Sequence, residues 1–281
     1  MGKNALNDRR GLQAEGSGRG KMSSYKIAAV SLALVCASLG VSACERSEVP
    51  SVDEAPTANA IPAPVTVEKA ALPELSPEQL TALAFRAAWG GPPPIERTET
   101  HEGQTDVRTY RSGKLVPLGN ARFALITGGQ GSEGHVHAGS LAVHYLTRTA
   151  DGFERTGSWP GLLVSGTWGA PPDWSIRTDL TPSPTLVVEA GGTWQGYTCS
   201  WAHLVELTPT RPVIRVDQIS TGYGSGGALG DAGESVEGRI IPGRKGETIR
   251  VQYTGDRTAT VTYAKVGEVY DPVDLPELPG C

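Results

Sequence analysis

The stretch Thr248-Ile-Arg-Val-Gln-Tyr-Thr254, followed by Gly255-Asp256 and then by Thr258-Ala-Thr-Val-Thr-Tyr-Ala264, decides the fold. Polar and apolar residues alternate on both sides of the Gly-Asp pair. A period of two is typical of a strand that is buried on one face, and a pair containing Gly between two such runs is typical of a hairpin turn. We therefore predict a β-hairpin here and an antiparallel sheet around it.

Two further hairpins are predicted upstream. Asp151-Gly152 follows the apolar run Leu141–Leu146. Ser112-Gly113 separates Val107–Tyr110 from Leu115-Val116. The chain also holds 36 Gly and 21 Pro, a supply of turn residues that suits many short strands.

A faint internal repeat links Phe123–Gly129 to Pro184–Gly192, since each is an apolar run that ends in Gly-Gly. It indicates either stacked meander units or a chance likeness of two hairpin segments. Residues 76–281 are enough for one well-buried core but few for a complete propeller of blades. We predict a mostly β fold, an antiparallel β-sandwich or open barrel of meander and hairpin units.

One short helix is predicted at the start of this region. Ser76-Pro77-Glu78-Gln79 offers an N-cap, a Pro at the first helical position and a capping-box Gln. Apolar residues follow at helical spacing, and Gly90-Gly91-Pro92-Pro93-Pro94 ends the helix. No second helical pattern is convincing.

The N-terminal part of the chain has the composition of a secretion signal. Lys26 precedes about 17 apolar or small residues, fewer than the roughly 20 of a spanning helix. The run closes with Val41-Ser42-Ala43-Cys44, which resembles the lipobox of bacterial lipoproteins. Met22-Ser-Ser-Tyr-Lys26 would itself make a charged start, so we expect translation to begin at Met22.

The lipobox resemblance implies processing and an address in the cell envelope. Cys44 would become the N-terminus and carry the acyl chains, palmitate among them, so that the protein is anchored to a membrane on the periplasmic side. Glu45 stands where enteric lipoproteins of the inner membrane usually carry Asp, which favours the outer membrane. The alternative is that Cys44 merely lies in a signal cleaved elsewhere.

Three regions follow from these patterns. Residues 1–43 are the predicted signal peptide, residues 44–75 are the lipidated Cys and a Pro- and Ala-rich tether, and residues 76–281 are a single mostly β domain.

The predicted mature chain is acidic. Residues 1–43 hold six of the 25 Lys and Arg and two of the 30 Asp and Glu, so 19 basic and 28 acidic side chains remain, a formal net charge of −9. Nucleic acids and anionic headgroups are bound through Lys and Arg. We therefore exclude a nucleic-acid partner.

Two cysteines remain in the predicted domain, Cys199 and the terminal Cys281. In an oxidising compartment such a pair commonly forms a disulfide, which here would stabilise by roughly 4 kcal/mol and would tie down the Pro-rich segment 271–281. Two unpaired thiols are the alternative.

Gly129-Gln-Gly131-Ser-Glu-Gly134 matches the spacing of a dinucleotide-binding loop. Such a loop must open a helix, whereas the residues from His135 onward read as a strand. The match therefore indicates a β-loop, and we expect no nucleotide cofactor.

His135 and His137 stand two residues apart and would share one face of a strand, which is a way to begin a zinc or copper site. A third ligand would come from elsewhere: His144 after a bulge, His203, His101 or Glu133. The alternative is that both are ordinary polar residues beside a Gly-rich loop and that the protein has no cofactor.

Five of the six Trp lie close together in sequence, among Gly and Pro: Trp159, Trp168, Trp174, Trp194 and Trp201. Aromatic rings on loops stack against sugars or anchor protein partners, but they also cap the ends of β-sandwich cores. We select Trp159, Trp168, Trp174 and Trp194 as candidate residues for binding a glycan or a protein.

Markers of hydrolytic chemistry are weak. Ser132 and Ser225 lie in Gly-rich loops, yet neither has Gly two positions earlier, as the nucleophile elbow requires. Four carboxylates could supply the pair that glycoside hydrolysis needs: Asp173, Asp179, Glu154 and Glu189.

Three functions follow from these patterns. The sequence favours a non-enzymatic envelope lipoprotein whose β domain binds a protein or glycan. The alternatives are a metal-binding lipoprotein and a glycan-directed hydrolase.

Overall fold

A computed structural model describes residues 75–280. The predicted signal, the predicted acylation site Cys44, most of the tether and Cys281 lie outside the described residues.

The predicted helix is present as α1, Pro77–Trp89. Ser76 is its N-cap: the Ser76 Oγ accepts from the Gln79 N–H at 3.3 Å, and the Ser76 N–H donates to the Gln79 side chain at 2.8 Å. Gly90 ends the helix in the left-handed conformation with φ of 80°, which Gly adopts without strain. The capping pattern thus confirms both predicted ends.

Thirteen strands form two antiparallel sheets in the described part of the chain. The first sheet holds β1 Ile95–His101, β2 Gln104–Gly119, β3 Arg122–Gln130, β4 Gly139–Arg148 and β5 Phe153–Ser165. The second holds β6 Asp173–Arg177, β7 Thr185–Trp194, β8 Tyr197–Leu207, β9 Pro212–Gly224, β10 Ser235–Pro242, β11 Thr248–Gly255, β12 Ala259–Val266 and β13 Val269–Pro272. Within each sheet, every strand pairs with its neighbours in sequence, so both are meanders.

The mostly β prediction with meander and hairpin units is confirmed. The hairpin at Gly255-Asp256 joins β11 to β12 in antiparallel register, and alternate residues of β11 are buried. The hairpin at Asp151-Gly152 joins β4 to β5. One element was not predicted, a four-residue helical turn α2 at Gly226–Leu229 with a 3-10 turn at Gly230–Ala232.

The hairpin predicted at Ser112-Gly113 is wrong. Strand β2 runs through both residues, and its pairing with β3 shifts register between Tyr110 and Gly113. A Cβ on Gly113 would lie 2.7 Å from the Thr127 methyl. The glycine therefore lets β2 approach β3 closely at a bulge, the other common use of Gly in a strand.

The two sheets pack face to face through an apolar layer. Ala124 and Ile126 of β3 belong to it, and so do Leu186 and Val188 of β7. Leu125 points to the opposite face of β3, where it packs against α1. Strand β3 is therefore covered on both faces, with the second sheet on one side and α1 on the other.

The second sheet also encloses its own cluster, to which six of its strands, β7 to β12, and Tyr270 of β13 contribute. A buried ion pair helps to close the sheet: Arg215 Nε of β9 lies 2.6 Å from Glu206 Oε2 of β8, and the Arg215 guanidinium also donates to the Glu268 carbonyl at 2.5 Å. Glu268 lies in the turn between β12 and β13, so Arg215 ties the last hairpin to β9. Among residues 75–280, no helix combines the length and apolar character needed to cross a bilayer.

We predict that Arg215→Ala lowers the free energy of unfolding by about 3–5 kcal/mol, because it leaves the Glu206 carboxylate buried without its cation. Arg211→Ala is the matched control. Arg211 pairs with the same Glu268 at 2.7 Å but is largely exposed, and exposed pairs contribute less than about 1 kcal/mol. Urea unfolding of both variants checks this, and equal losses would contradict the role given to Arg215.

Candidate functional site

Two loops at the end of the first sheet are held together by backbone hydrogen bonds. The Gly131 N–H donates to the Gly169 carbonyl at 2.8 Å, the Gly169 N–H to the His137 carbonyl at 2.8 Å, and the Gly139 N–H to the Ala170 carbonyl at 3.1 Å. Residues 131–138 and 166–172 therefore form one unit, which we call the paired loops.

Gly169 is required for this close approach. Its φ is 70°, and a Cβ there would lie 2.3 Å from the Ser132 carbonyl oxygen, so any side chain would push the two loops apart. The G-x-G-x-x-G segment is thus a β-loop, as predicted. The accompanying prediction that His135 and His137 lie on a strand is wrong, because β4 begins only at Gly139.

Trp168 is the most exposed Trp of the described chain, with 60% of its surface accessible. Its backbone is left-handed, with φ of 59°, which is unusual and unfavourable for a bulky residue. The neighbouring hydrogen bonds of the paired loops hold it there. The Trp168 indole is therefore exposed to solvent although its backbone conformation is unfavourable.

Four rings form an aromatic cluster, defined here as His135, Trp168, Trp194 and Trp201. The His135 ring lies edge-on to Trp168 at 5.2 Å and to Trp194 at 5.7 Å. Trp194 in turn stacks on Trp201, with centroids 6.2 Å apart. The cluster joins the paired loops to β7 and β8.

The remaining predicted Trp residues lie elsewhere. Trp159 and Trp174 are half-buried and pack against the apolar layer between the sheets. Trp159 contacts Tyr145 edge-on at 5.0 Å, and the Lys114 ammonium lies 5.4 Å from the Trp174 ring. Of the four candidates, the structure therefore brings together only Trp168 and Trp194.

The contacts of His135 explain its position without a metal. Its Nε2 lies 3.1 Å from the Thr193 carbonyl, and since a carbonyl can only accept, Nε2 carries the proton and donates. Within residues 75–280 no group of three or more His, Cys, Asp or Glu side chains is arranged to hold a metal ion. A zinc or copper site at His135 and His137 stays a prediction.

A cavity of about 850 Å³ lies next to the aromatic cluster and is lined by Trp201. Residues from both sheets contribute to its wall. The ionisable or hydroxyl side chains on it include Asp106, Arg108, His137, Ser165, His203 and Asp217.

A charged network supports one side of the cavity. Arg108 is 6% exposed; its guanidinium lies 3.5 Å from Asp106 and donates to the Ala138 carbonyl. Burial by itself would raise the pKa of Asp106, but bonds from the hydroxyl and N–H of Ser132, together with the Arg108 charge, hold that pKa below its usual value. The Asp106 carboxylate thus anchors the first of the paired loops.

Elsewhere on the cavity wall, three polar residues stand in a row. The Ser165 Oγ lies 3.0 Å from His203 Nε2, and His203 Nδ1 lies 3.7 Å from an Asp217 oxygen. The Trp201 indole N–H also donates to Ser165 Oγ at 2.9 Å. Ser165 ends β5 in the first sheet, whereas His203 and Asp217 belong to β8 and β9 of the second.

No sequence pattern indicates this row. The sequence patterns predict neither Ser165 nor Asp217 as a site residue, and they offer His203 only as a third metal ligand. The hydroxyl and the imidazole are 38 residues apart in sequence and meet because the two sheets pack together. The two serines of the Gly-rich loops lie elsewhere: Ser132 donates to Asp106, and Ser225 bonds the backbone of Glu234.

The four carboxylates named from the sequence do not converge as a set. Asp173 and Glu189 are direct partners across β6 and β7, so those two stand side by side on one face of the sheet. Asp179 pairs with Arg177 at 2.7 Å. Glu154 lies on β5 of the other sheet.

Cys199 is buried in β8. Its predicted partner, Cys281, lies outside the described residues, so the pairing Cys199–Cys281 stays a prediction.

No family model, no curated protein and no solved structure matches this chain.

We predict that Gly169→Ala separates the paired loops. Gly103→Ala is the control, because Gly103 has a similar φ of 80° but open space around it. The control should lose about 1–2 kcal/mol from left-handed strain alone, whereas Gly169→Ala should lose clearly more and shift the tryptophan emission. Chemical unfolding followed by fluorescence measures both effects. Equal losses with an unchanged spectrum would show that the loops tolerate separation.

Proposed function

We propose that this chain is a cell-envelope lipoprotein, anchored through acylated Cys44, whose β domain binds a glycan at the aromatic cluster. The observation that carries the proposal is the Trp168 indole, which is exposed although its backbone is held in a strained conformation within the second of the paired loops. A strained backbone conformation persists where the surrounding structure holds it in place, and such positions are common at binding sites.

The chemistry of the surface favours a glycan over an apolar protein partner. An exposed indole offers a flat face for the C–H surface of a sugar ring, and such a ring loses little side-chain freedom on binding. The adjoining cavity supplies hydrogen-bonding groups for hydroxyls, among them Asp106, His137 and Gln218. In the paired loops the exposed large apolar side chains are Trp168 and Val136, whereas a protein anchor would call for a wider apolar patch.

The charge of the chain narrows the class of glycan. The predicted mature protein has a formal net charge of −9, which repels polyanions at low salt. We therefore infer a neutral or zwitterionic saccharide, such as the glycan strand of peptidoglycan or a neutral surface polysaccharide. Both occur in the envelope to which the lipobox assigns the protein, with the outer membrane as the expected site of anchoring.

We predict that Trp168→Ala weakens binding of soluble N-acetylglucosamine oligomers or peptidoglycan fragments at least tenfold, or about 1.4 kcal/mol. Trp168→Phe should keep much of the affinity, because the phenyl ring still stacks. Val266→Ala removes a comparably exposed apolar side chain from β12 and should change nothing. Isothermal titration calorimetry measures the affinities. Wild-type protein that binds none of the saccharides, or a Trp168→Ala variant with the wild-type affinity, would contradict the proposal.

We predict that Cys44→Ala abolishes palmitate labelling and releases the protein from the membrane fraction, since the acyl chains supply the anchoring free energy. Cys36→Ala is the matched control, because Cys36 lies within the apolar run rather than at its exit. Metabolic labelling followed by membrane fractionation distinguishes the two. Labelling that survives in Cys44→Ala would contradict the lipobox assignment.

A further inference from the structure

The row Ser165, His203 and Asp217 has a defined direction of hydrogen bonding. The Trp201 N–H can only donate, so the Ser165 oxygen accepts from it at 2.9 Å and its own proton is directed elsewhere. The Asp217 carboxylate faces His203 Nδ1 and favours the tautomer that carries its proton there. His203 Nε2 is then an acceptor, and the Ser165 hydroxyl donates to it at 3.0 Å.

A bulge places Asp217 opposite the imidazole. Ala202 of β8 pairs with Ile219 of β9 and Leu204 pairs with Val216, so His203 alone faces the two residues between them. The extra residue in such a bulge re-aims side chains, and bulges are common beside active sites. The Asp217 side chain is 87% exposed. Burial of this side chain therefore does not account for the bulge.

The imidazole is poised to accept a proton. Burial lowers the pKa of His203, and the charge of Asp217 partly opposes that shift. His203 is therefore neutral at pH 7, the form that a general base requires. The other titratable groups on the cavity wall are His101, Glu102, Asp106, Arg108 and His137.

A purely structural role leaves part of this arrangement unexplained. A hydrogen bond between a buried serine and a buried histidine stabilises the fold, because it satisfies the polar atoms of both side chains. However, His203 Nδ1 is inaccessible to solvent and finds no hydrogen-bond partner among residues 75–280. Its neighbour Asp217 lies 3.7 Å away, a distance that a small movement of an exposed side chain would close into a hydrogen bond. Hydrogen bonds of catalytic groups are often long in the absence of substrate.

We propose that the cavity is an ester-hydrolysing site in which Ser165 is the nucleophile, His203 is the general base and acid, and Asp217 positions His203. The substrate is an acyl ester of an alcohol or a sugar hydroxyl that enters the cavity. This inference does not rest on glycan binding: a chain that cleaves esters but binds no saccharide would support it and contradict the proposed function.

The chemistry balances with water as the co-reactant. The Ser165 oxygen forms a bond to the ester carbonyl carbon while its proton passes to His203 Nε2. The bond from that carbon to the alkoxy oxygen then breaks, and Nε2 returns the proton to the leaving oxygen, which departs as the alcohol. Water attacks the acyl-serine with Nε2 taking its proton. The acid is released, and the proton returns to the Ser165 oxygen.

The test uses the purified full-length chain in detergent, with p-nitrophenyl acetate as substrate and a fluorophosphonate as covalent probe. The probe should label Ser165, as located by peptide mass spectrometry. Ser165→Ala should lose the label and at least 100-fold in kcat/KM. Ser158→Ala is the matched control, because Ser158 lies on the same strand β5 with an exposed side chain, and it should behave as the wild type.

Asp217→Asn tests the positioning role without threatening the fold, because its side chain is exposed. It should lower kcat/KM at least tenfold. The rate depends on neutral His203, so activity falls as the pH drops below the His203 pKa. Removing the Asp217 charge, which raises that pKa, should move the inflection to lower pH. Asp151→Asn, in the exposed turn before β5, is the matched control.

Three results would overturn the proposal. They are a folded wild type that takes no label, labelling at a residue other than Ser165, and hydrolysis that Ser165→Ala leaves unchanged. An Asp217→Asn variant with the wild-type pH profile would remove Asp217 from the site.

Discussion

Apolar side chains from the two meander sheets meet in one layer. This contact sets the distance between residues that are far apart in sequence. Ala124 and Ile126 on one side and Leu186 and Val188 on the other set the spacing of the sheets. Because the interior of a protein is close-packed, the distance between the two sheets can change very little without opening voids or causing steric overlap. The approach of the Ser165 hydroxyl to the His203 ring depends on it.

The two parts of the candidate site are held in place by different interactions. The aromatic cluster depends on the paired loops, where Gly169 allows a contact that any side chain would prevent. The row of polar residues depends on strands, with a bulge in β9 setting the position of Asp217. Trp201 belongs to both, since its ring stacks on Trp194 and its N–H bonds the Ser165 oxygen. A ligand held at the cluster would therefore lie beside the polar row.

Local features of the fold could be predicted from the sequence. The capping box at Ser76 and the hairpin at Gly255-Asp256 are written in consecutive residues, and the structure contains both. Ser112-Gly113 misled because a glycine permits a bulge as readily as a turn. Trp168 and Trp194 were found by composition, whereas the Ser165 row was missed because tertiary packing alone brings it together.

The sequential order of the strands affects how the chain acquires this structure. Because each strand within residues 75–280 pairs with its neighbours in sequence, loop closure costs little entropy at each step. If the chain becomes free to fold from its N-terminus onward, each hairpin can form as soon as its second strand is available. The contact between Arg215 and the turn at Glu268 is different, since it must wait for the last hairpin. Until then the Arg215 guanidinium lacks its bond to the Glu268 carbonyl, so the second sheet gains this tie only once β12 and β13 have formed their turn.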